Sequence, residues 1–306
     1  MDLKDCSLLL SLYEEKNLRK VAEKLYISQP AITYRLKQIE DKFQARLVER
    51  TNKGVVFTLE GEHVVKFAQT MLNEFSAAKD YVYNMSSEVR GVLRLSVTSN
   101  FAQYILPNLL KRFSEQYPNV QIHLKTGKSK NVLQQLKDDD AHLAILRGDY
   151  AWLEEKKKIH QERILLISKI PLKMENLPDY PRIFYVTDQL LSQIIDNWWT
   201  ENYSSPPNNV VEADKVEACR DLARTGMGYT IIPEICLSKS HFDEMFVYPL
   251  KSPQEDLTIR NTWLLHKRKS RELSVVDAFI DFIENELKSG EIIRVFNPEE
   301  HVELLI

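Results

Sequence analysis

Ser28 to Phe43, "SQPAITYRLKQIEDKF", leaves this part of the chain one local solution. Ile32, Leu36, Ile39 and Phe43 recur at steps of four, three and four, the single apolar stripe of an α-helix. Ser28 can cap that helix through its hydroxyl. Pro30 fits its first turn, where the N–H that proline lacks has no intrahelical partner. Upstream, Asp5 to Glu15 suits a helix with Leu8, Leu9 and Leu12 inward, and Leu18 to Leu25 a second with Val21, Ala22 and Leu25 on one side. Two short helices joined at Tyr26-Ile27, the second with a polar outer face, form a helix-turn-helix pattern. In that motif the start of the second helix enters the major groove. The candidate DNA-facing residues are therefore Ser28, Gln29, Pro30, Thr33, Tyr34 and Lys37. Gln29 can pair with adenine, Thr33 can hydrogen-bond or touch a thymine methyl, and Tyr34 or Lys37 can reach base edges or phosphates. A merely solvated face has the same periodicity, so the helix alone leaves both readings open.

The next residues narrow the choice. "LVERTNKGVVFT" sets Leu47-Val48 and Val55-Val56-Phe57 around Asn52-Lys53-Gly54, a short hairpin. Such a wing places Arg50 and Lys53 where phosphates would run, contacts that position a domain without reading sequence. Residues 1 to 58 carry a net charge of +3, leaving −6 for the rest of a chain whose total is −3. A basic head on an acidic body suits a nucleic-acid-binding module attached to something else.

From Leu18 to Gly61 the chain resembles the winged helix-turn-helix of LysR-type transcriptional regulators. The matching pieces are Ala22-Glu23-Lys24-Leu25, Ser28 to Thr33, Leu36 to Glu40, Glu49-Arg50-Thr51 and Thr58 to Gly61. Tyr34 stands where that family usually has a basic or amide side chain, and Glu60 replaces a common alanine.

Beyond Thr58 the pattern becomes one long helix, with Thr58 as cap and Glu60 and Glu62 near its positive end. Val64, Ala68, Met71, Phe75, Ala78, Val82 and Met85 alternate four and three apart, a heptad seam. About 28 residues at ~1.5 Å each make a rod on the order of 40 Å long. The seam could pack on the chain's own body or on a second copy. In the resembling family the segment is the linker helix that makes the dimer. A dimer sets two recognition helices on an interrupted two-fold site in double-stranded DNA.

After Gly91 short apolar strands alternate with amphipathic helices: Val92 to Val97, Tyr104 to Tyr117, Val120 to Leu124, Asn131 to Lys137 and His142 to Leu146. That order predicts a mainly parallel α/β sheet. "RILLIS", "RIFYV", helices at Asp188 to Asn202 and Lys215 to Thr225, "YTIIP", "NTWLLHK" and a helix at Ser274 to Leu287 continue it. The order resembles the family's effector domain, two α/β lobes like those of periplasmic binding proteins. The resemblance thus implies a winged helix-turn-helix over 1–58, a linker helix over 59–89 and an effector domain over 90–306. Lobe I would take about 90–163 and 267–306, lobe II about 164–266, with the chain returning near 262–268. The stretch 290–306 exceeds the usual pattern, and His142 stands where the family usually has aspartate.

Open α/β sheets bind ligands beyond the C-terminal ends of their strands. That rule nominates Thr98, Ser99 and Asn100 after the first strand, at a helix N-terminus suited to an anion. Ser129 has the analogous place in the second unit, Arg147 could grip a carboxylate bidentately, and Thr187 follows "RIFYV" on the other lobe. These positions match where the resembling family holds its effectors, so a small molecule, an anionic metabolite, is expected. Each of the six would serve equally as a helix cap or surface group.

Enzyme chemistry finds little support. "TGMG" at 225–228 is too short for a dinucleotide loop, and GxSxG, P-loop and HExxH motifs are absent. Seven scattered histidines have no metal-ligand spacing, so neither a catalytic residue, a metal nor a cofactor is expected. Cys6, Cys219 and Cys236 make no disulfide framework; the last two could form a redox pair or simply pack. The start Met1-Asp2-Leu3-Lys4-Asp5 does not read as a signal peptide, and no apolar run approaches ~18 residues. A cytoplasmic homodimer or homotetramer is expected, with RNA polymerase as a further partner and no membrane.

Overall fold

The computed structural model describes residues 1–52, 54–84, 88–251 and 258–290, in two units, Met1–Met85 and Ser86–Ile306. Lys53, Met85 and the stretch 291–306, all named above, lie outside the described residues.

In the first unit α1 is Leu3–Glu15, α2 Leu18–Leu25 and α3 Gln29–Phe43. Asp2 and Asp5 close a capping box on α1, Asn17 caps α2, and Ser28 caps α3 by accepting the Ala31 N–H. The three helices share one core of Leu8, Leu12, Val21, Ile32 and Ile39, all essentially out of water. Asp5 is buried beside it and accepts from Arg35 Nε at 2.7 Å, tying α1 to α3. Burial opposes that charge, but the Asp2 N–H and the Arg35 guanidinium hold the carboxyl below its usual range. The wing is an antiparallel pair, β1 Val48–Thr51 and β2 Gly54–Phe57. Gly54 has φ +131°, and a Cβ there would lie 2.4 Å from the Lys16 carbonyl, which accepts the Val55 N–H. Only glycine lets the wing close on the end of α1.

Helix α4, Leu59–Asn84, begins where the Thr58 hydroxyl accepts the Gly61 N–H at 3.0 Å. Its heptad seam divides into two parts, so that both packings the sequence left open are represented along one helix: one part lies on the unit's own core and the other is exposed. Val64 and Ala68 are buried in the unit's own core, and Met71 packs beside them with its sulfur 3.9 Å from the Cys6 thiol. Farther along, Phe75 and Val82 are 47% and 62% exposed, and Ala78 is exposed too. The first turns of the seam meet α1; the last are open.

The second unit opens with β3 Gly91–Thr98, α5 Ser99–Tyr104, α6 Leu106–Gln116, β4 Val120–Gly127, α7 Ser129–Lys137 and β5 Leu143–Arg147. There follow β6 Glu155–Ser168, β7 Pro181–Tyr185, α8 Gln189–Asn202, β8 Asn208–Ala213, α9 Val216–Arg224 and β9 Tyr229–Pro233. Helix α10 Lys239–Glu244, β10 Phe246–Pro249, β11 Ile259–His266 and α11 Ser274–Lys288 complete it. The strand order is β4-β3-β5-β11-β6-β9-β7-β8, with β10 also on β6. Parallel pairs lie at both ends, while β11 and β6 run antiparallel to their neighbours.

One strand joins the two lobes. Residues 155–163 of β6 pair with β11, and residues 164–168 pair with β9 and β10. Among the described residues β11 pairs with β5 and the first half of β6, so the chain is back in lobe I by Ile259, a few residues before 262–268. His142 in turn has a structural place: its Nδ1 accepts the Arg94 N–H, and its own N–H donates to the Arg94 carbonyl.

Candidate DNA-reading face and interlobe cleft

The DNA-reading candidates fall on one side of the first unit. Gln29, Pro30, Tyr34 and Lys37 are exposed along the first turns of α3, Tyr34 to 66%. The Ser28 hydroxyl is engaged in the cap at 3.4 Å from the Ala31 nitrogen, so Ser28 sets the entry of the helix. Arg50 Nη2 on β1 donates to the Thr33 hydroxyl at 3.1 Å, which links wing and helix. Between them runs a groove of about 970 Å³ lined by Thr33, Lys37, Arg46 and Arg50 among others. Arg46 was absent from the sequence candidates; its signal was a lone arginine beside the wing. Lys37, Arg46 and Arg50 can meet phosphates there, although Glu40, Asp41 and Glu49 share the lining and balance their charge.

In the second unit a cavity of about 160 Å³ lies between the two lobes, and all six effector candidates line it. They are not equivalent. Thr98 is buried, makes no cap bond to α5, and its hydroxyl has no hydrogen-bond partner. Ser99 is exposed at the rim. Asn100 Nδ2 donates to the Cys236 sulfur at 3.5 Å, across to lobe II.

Ser129 and Arg147 serve the frame rather than standing free for a ligand. The Ser129 hydroxyl donates to the Arg147 carbonyl at 2.8 Å and accepts the Arg147 N–H at 3.3 Å, a clasp between α7 and β5. Arg147 was expected to grip a carboxylate with its fork. It does so within the protein: Nε donates to Glu162 Oε1 at 2.8 Å, and Nη2 donates to the same oxygen. The side chains are 3% and 1% exposed. Burial works against the Arg147 charge, yet Glu162 holds its pKa above the usual arginine range. The other Glu162 oxygen accepts the Ile235 N–H of lobe II at 3.0 Å.

The sequence reading missed Arg260. It enters the cavity floor from β11, buried, with Nη2 donating to Asp188 Oδ2 of lobe II. Its Nε has no acceptor, and burial, then the Arg147 charge, lowers its pKa. Asp188 also caps α8 through Oδ1, which accepts the Leu191 N–H at 3.2 Å. A further interlobe bond runs from Tyr104 Oη to Glu217 Oε1 at 2.8 Å. Thr187 lies beside Asp188 in the wall. Two residues that line the cavity, Thr98 and Arg260, thus each carry a buried polar atom with no partner, Oγ1 and Nε, an arrangement a bound group would complete. Among the described residues no group of histidine, cysteine and acidic side chains could hold a metal ion, and no helix is long and apolar enough to cross a membrane.

A helix-turn-helix head and a two-lobed body with a cleft define a DNA-binding regulator that carries a small-molecule domain. Residues 3–62 match the lysR-family bacterial regulatory helix-turn-helix, and residues 86–288 match the LysR substrate binding domain. The HTH-type transcriptional regulator YraN of Bacillus subtilis (strain 168) is 44% identical over 94% of this chain and 98% of its own. The hydrogen peroxide-inducible genes activator of Haemophilus influenzae (strain ATCC 51907 / DSM 11121 / KW20 / Rd) is 26% identical over 85% and 89%. In fold, the chain is similar to CbnR, a LysR family transcriptional regulator, with a TM-score of 0.66 at 16% identity over 94% of this chain and 99% of that one. This chain belongs to the LysR family: it is a DNA-binding transcriptional regulator with an effector-binding domain, not an enzyme.

Proposed function

We propose that the α3 face formed by Gln29, Pro30, Thr33, Tyr34 and Lys37 reads base edges in the major groove, while Arg50, with Lys53 in the same hairpin, holds phosphates. Two copies pair through the open end of the α4 seam, at Phe75, Ala78 and Val82, and present two reading heads to an interrupted two-fold site. Pairing covers apolar side chains that α1 leaves exposed. A dimer or tetramer working in the cytoplasm, with RNA polymerase as its partner at the promoter, fits this architecture. The effector is a small molecule with an anionic group, bound between the lobes at Thr98, Ser99, Asn100 and Thr187 above the Arg147 and Ser129 frame. Binding that favours one lobe arrangement over another redistributes the two states, as any ligand with differential affinity must.

One observation carries the effector site: Thr98 Oγ1 is buried on the cavity wall with no partner. Thr98→Val keeps the shape and removes only that donor. The expected result is loss of the effector-induced change in operator binding, with the fold intact, since an unsatisfied hydroxyl contributes nothing to the folded state. Gel-shift titrations with and without effector test it; an unchanged response would remove Thr98 from the site.

Peroxide sensing, suggested by the name of the Haemophilus relative, is disfavoured by the thiols. All three cysteines are buried, and burial pushes the Cys219 thiol up to about 11 and Cys236 to about 12. Redox-sensing cysteines are accessible and have lowered pKa values. The native protein should therefore resist an aromatic disulfide reagent at neutral pH and react fully once unfolded. Rapid labelling of one native thiol would reopen the redox reading.

A further inference from the structure

We propose that the cleft takes a zwitterion of the amino-acid class, its carboxylate toward lobe I and its ammonium toward lobe II. This rests on the interlobe cleft being the effector site. The two walls of the cavity differ in sign. Every charged side chain that lobe I contributes is a cation: Lys128, Arg147 and Arg260. Lobe II contributes Asp188, Asp214 and Glu217 against Lys215 alone. The internal pairs reduce this contrast but leave it standing. Glu162 offsets Arg147 from behind, while Asp188 already reaches across to Arg260.

The unmet bonding capacity has the same polarity. Of the unpartnered buried groups on lobe I, two belong to residues lining the cavity: Thr98 Oγ1, a hydroxyl able to donate to a carboxylate, and Arg260 Nε, a donor. On lobe II the carboxylates lining the cavity offer acceptors. Asp214 makes no hydrogen bond or ion pair among the described residues, and Glu217 uses only Oε1, on Tyr104. A dicarboxylate would set one of its ends against Asp214 and Glu217, where like charges repel. A neutral carboxylic ligand would leave those acceptors unused. A carboxylate and an ammonium on one small skeleton satisfy both walls at once, and a cavity of about 160 Å³ holds nothing larger than a small molecule. Tyr185 and Val216 line the same space and offer apolar contact to a side chain.

The test is a thermal-shift and calorimetric panel on the purified full-length protein. The probes are the protein L-amino acids, a set of amine-free carboxylates (acetate, lactate, succinate, benzoate), and the 2-hydroxy acid and decarboxylated amine of any amino acid that binds. At least one amino acid should raise the melting temperature, and each truncated analogue should bind at least about tenfold more weakly, on the order of 1.4 kcal/mol. Asp214→Asn with Glu217→Gln should weaken the amino acid by at least the same factor; glutamine still accepts from Tyr104, and the ligand-free melting temperature verifies folding. Amine-free carboxylates binding as tightly, with binding lost in Thr98→Val, would sink the zwitterion and leave the cleft reading intact. An amino acid bound undiminished by the double variant would overturn it as well. If no probe of either kind binds in a Thr98-dependent way, both readings fall.

Discussion

Replacing Gln29 and Thr33 together by alanine should abolish the preference for the operator over scrambled DNA while leaving non-specific binding in place. Both residues lie in the first turns of α3, clear of the buried stripe of Ile32, Leu36 and Ile39, so the unit should fold unchanged. A good bidentate base contact discriminates by about 1–3 kcal/mol, so two lost contacts predict about a hundredfold loss of selectivity or more. The non-specific term comes from phosphate neutralisation and shows as a steep dependence on salt. Anisotropy titrations against salt separate the two: the double variant should keep its salt slope and lose its sequence preference. Arg50→Ala should do the reverse, weakening every sequence alike and lowering the slope. Equal discrimination by the double variant and the parent would move base reading off this face.

The second large effect concerns the effector unit. Glu162→Ala should destabilise it by about 3–5 kcal/mol, the usual result of stripping a buried charge of its partner. Arg147 would stay in the interior with no counter-charge, and the Ile235 N–H would lose its acceptor. Glu162→Gln keeps an acceptor oxygen and should cost less. All four tryptophans, Trp152, Trp198, Trp199 and Trp263, belong to residues 86–306, so their fluorescence in a urea titration follows this unit alone. A midpoint within experimental error of the parent would show that Glu162 is not what balances Arg147.

These two sites were not equally legible in the sequence. The reading head was, because its signals are short-range. Asn17 and Ser28 cap the helices that follow them, Pro30 marks a first turn, and a 3.6-residue period separates Ile32 from Thr33. The cleft was legible only in outline. Strand ends pointed to Thr98, Ser129 and Arg147, but the strand "NTWLLHK" was begun two residues late, which left Arg260 outside it. The first half of β6, Glu155 to Glu162, reads as a polar connector because only one face of it is covered. Strands β8 and β10 are short and partly exposed; β8, "NNVVEA", carries no sustained apolar run, and β10, "FVYP", is only four residues and ends on a proline.

By itself, then, the sequence determined the elements whose causes lie within a few residues: the caps, the helix-turn-helix, the wing and most of the alternation of strands and helices. Tertiary structure decided which of their side chains remain available. Val64 and Ala68 read as partners for a second copy until α1 covers them. Arg147 reads as a ligand arginine until the β5-β11-β6 arrangement sets Glu162 against it. Arg260 and Asp188, 72 residues apart, meet only across the cleft between the lobes. The reason is physical: a cap or a period is satisfied by neighbours in the chain, whereas the fate of a buried charge depends on whichever strand the fold places beside it.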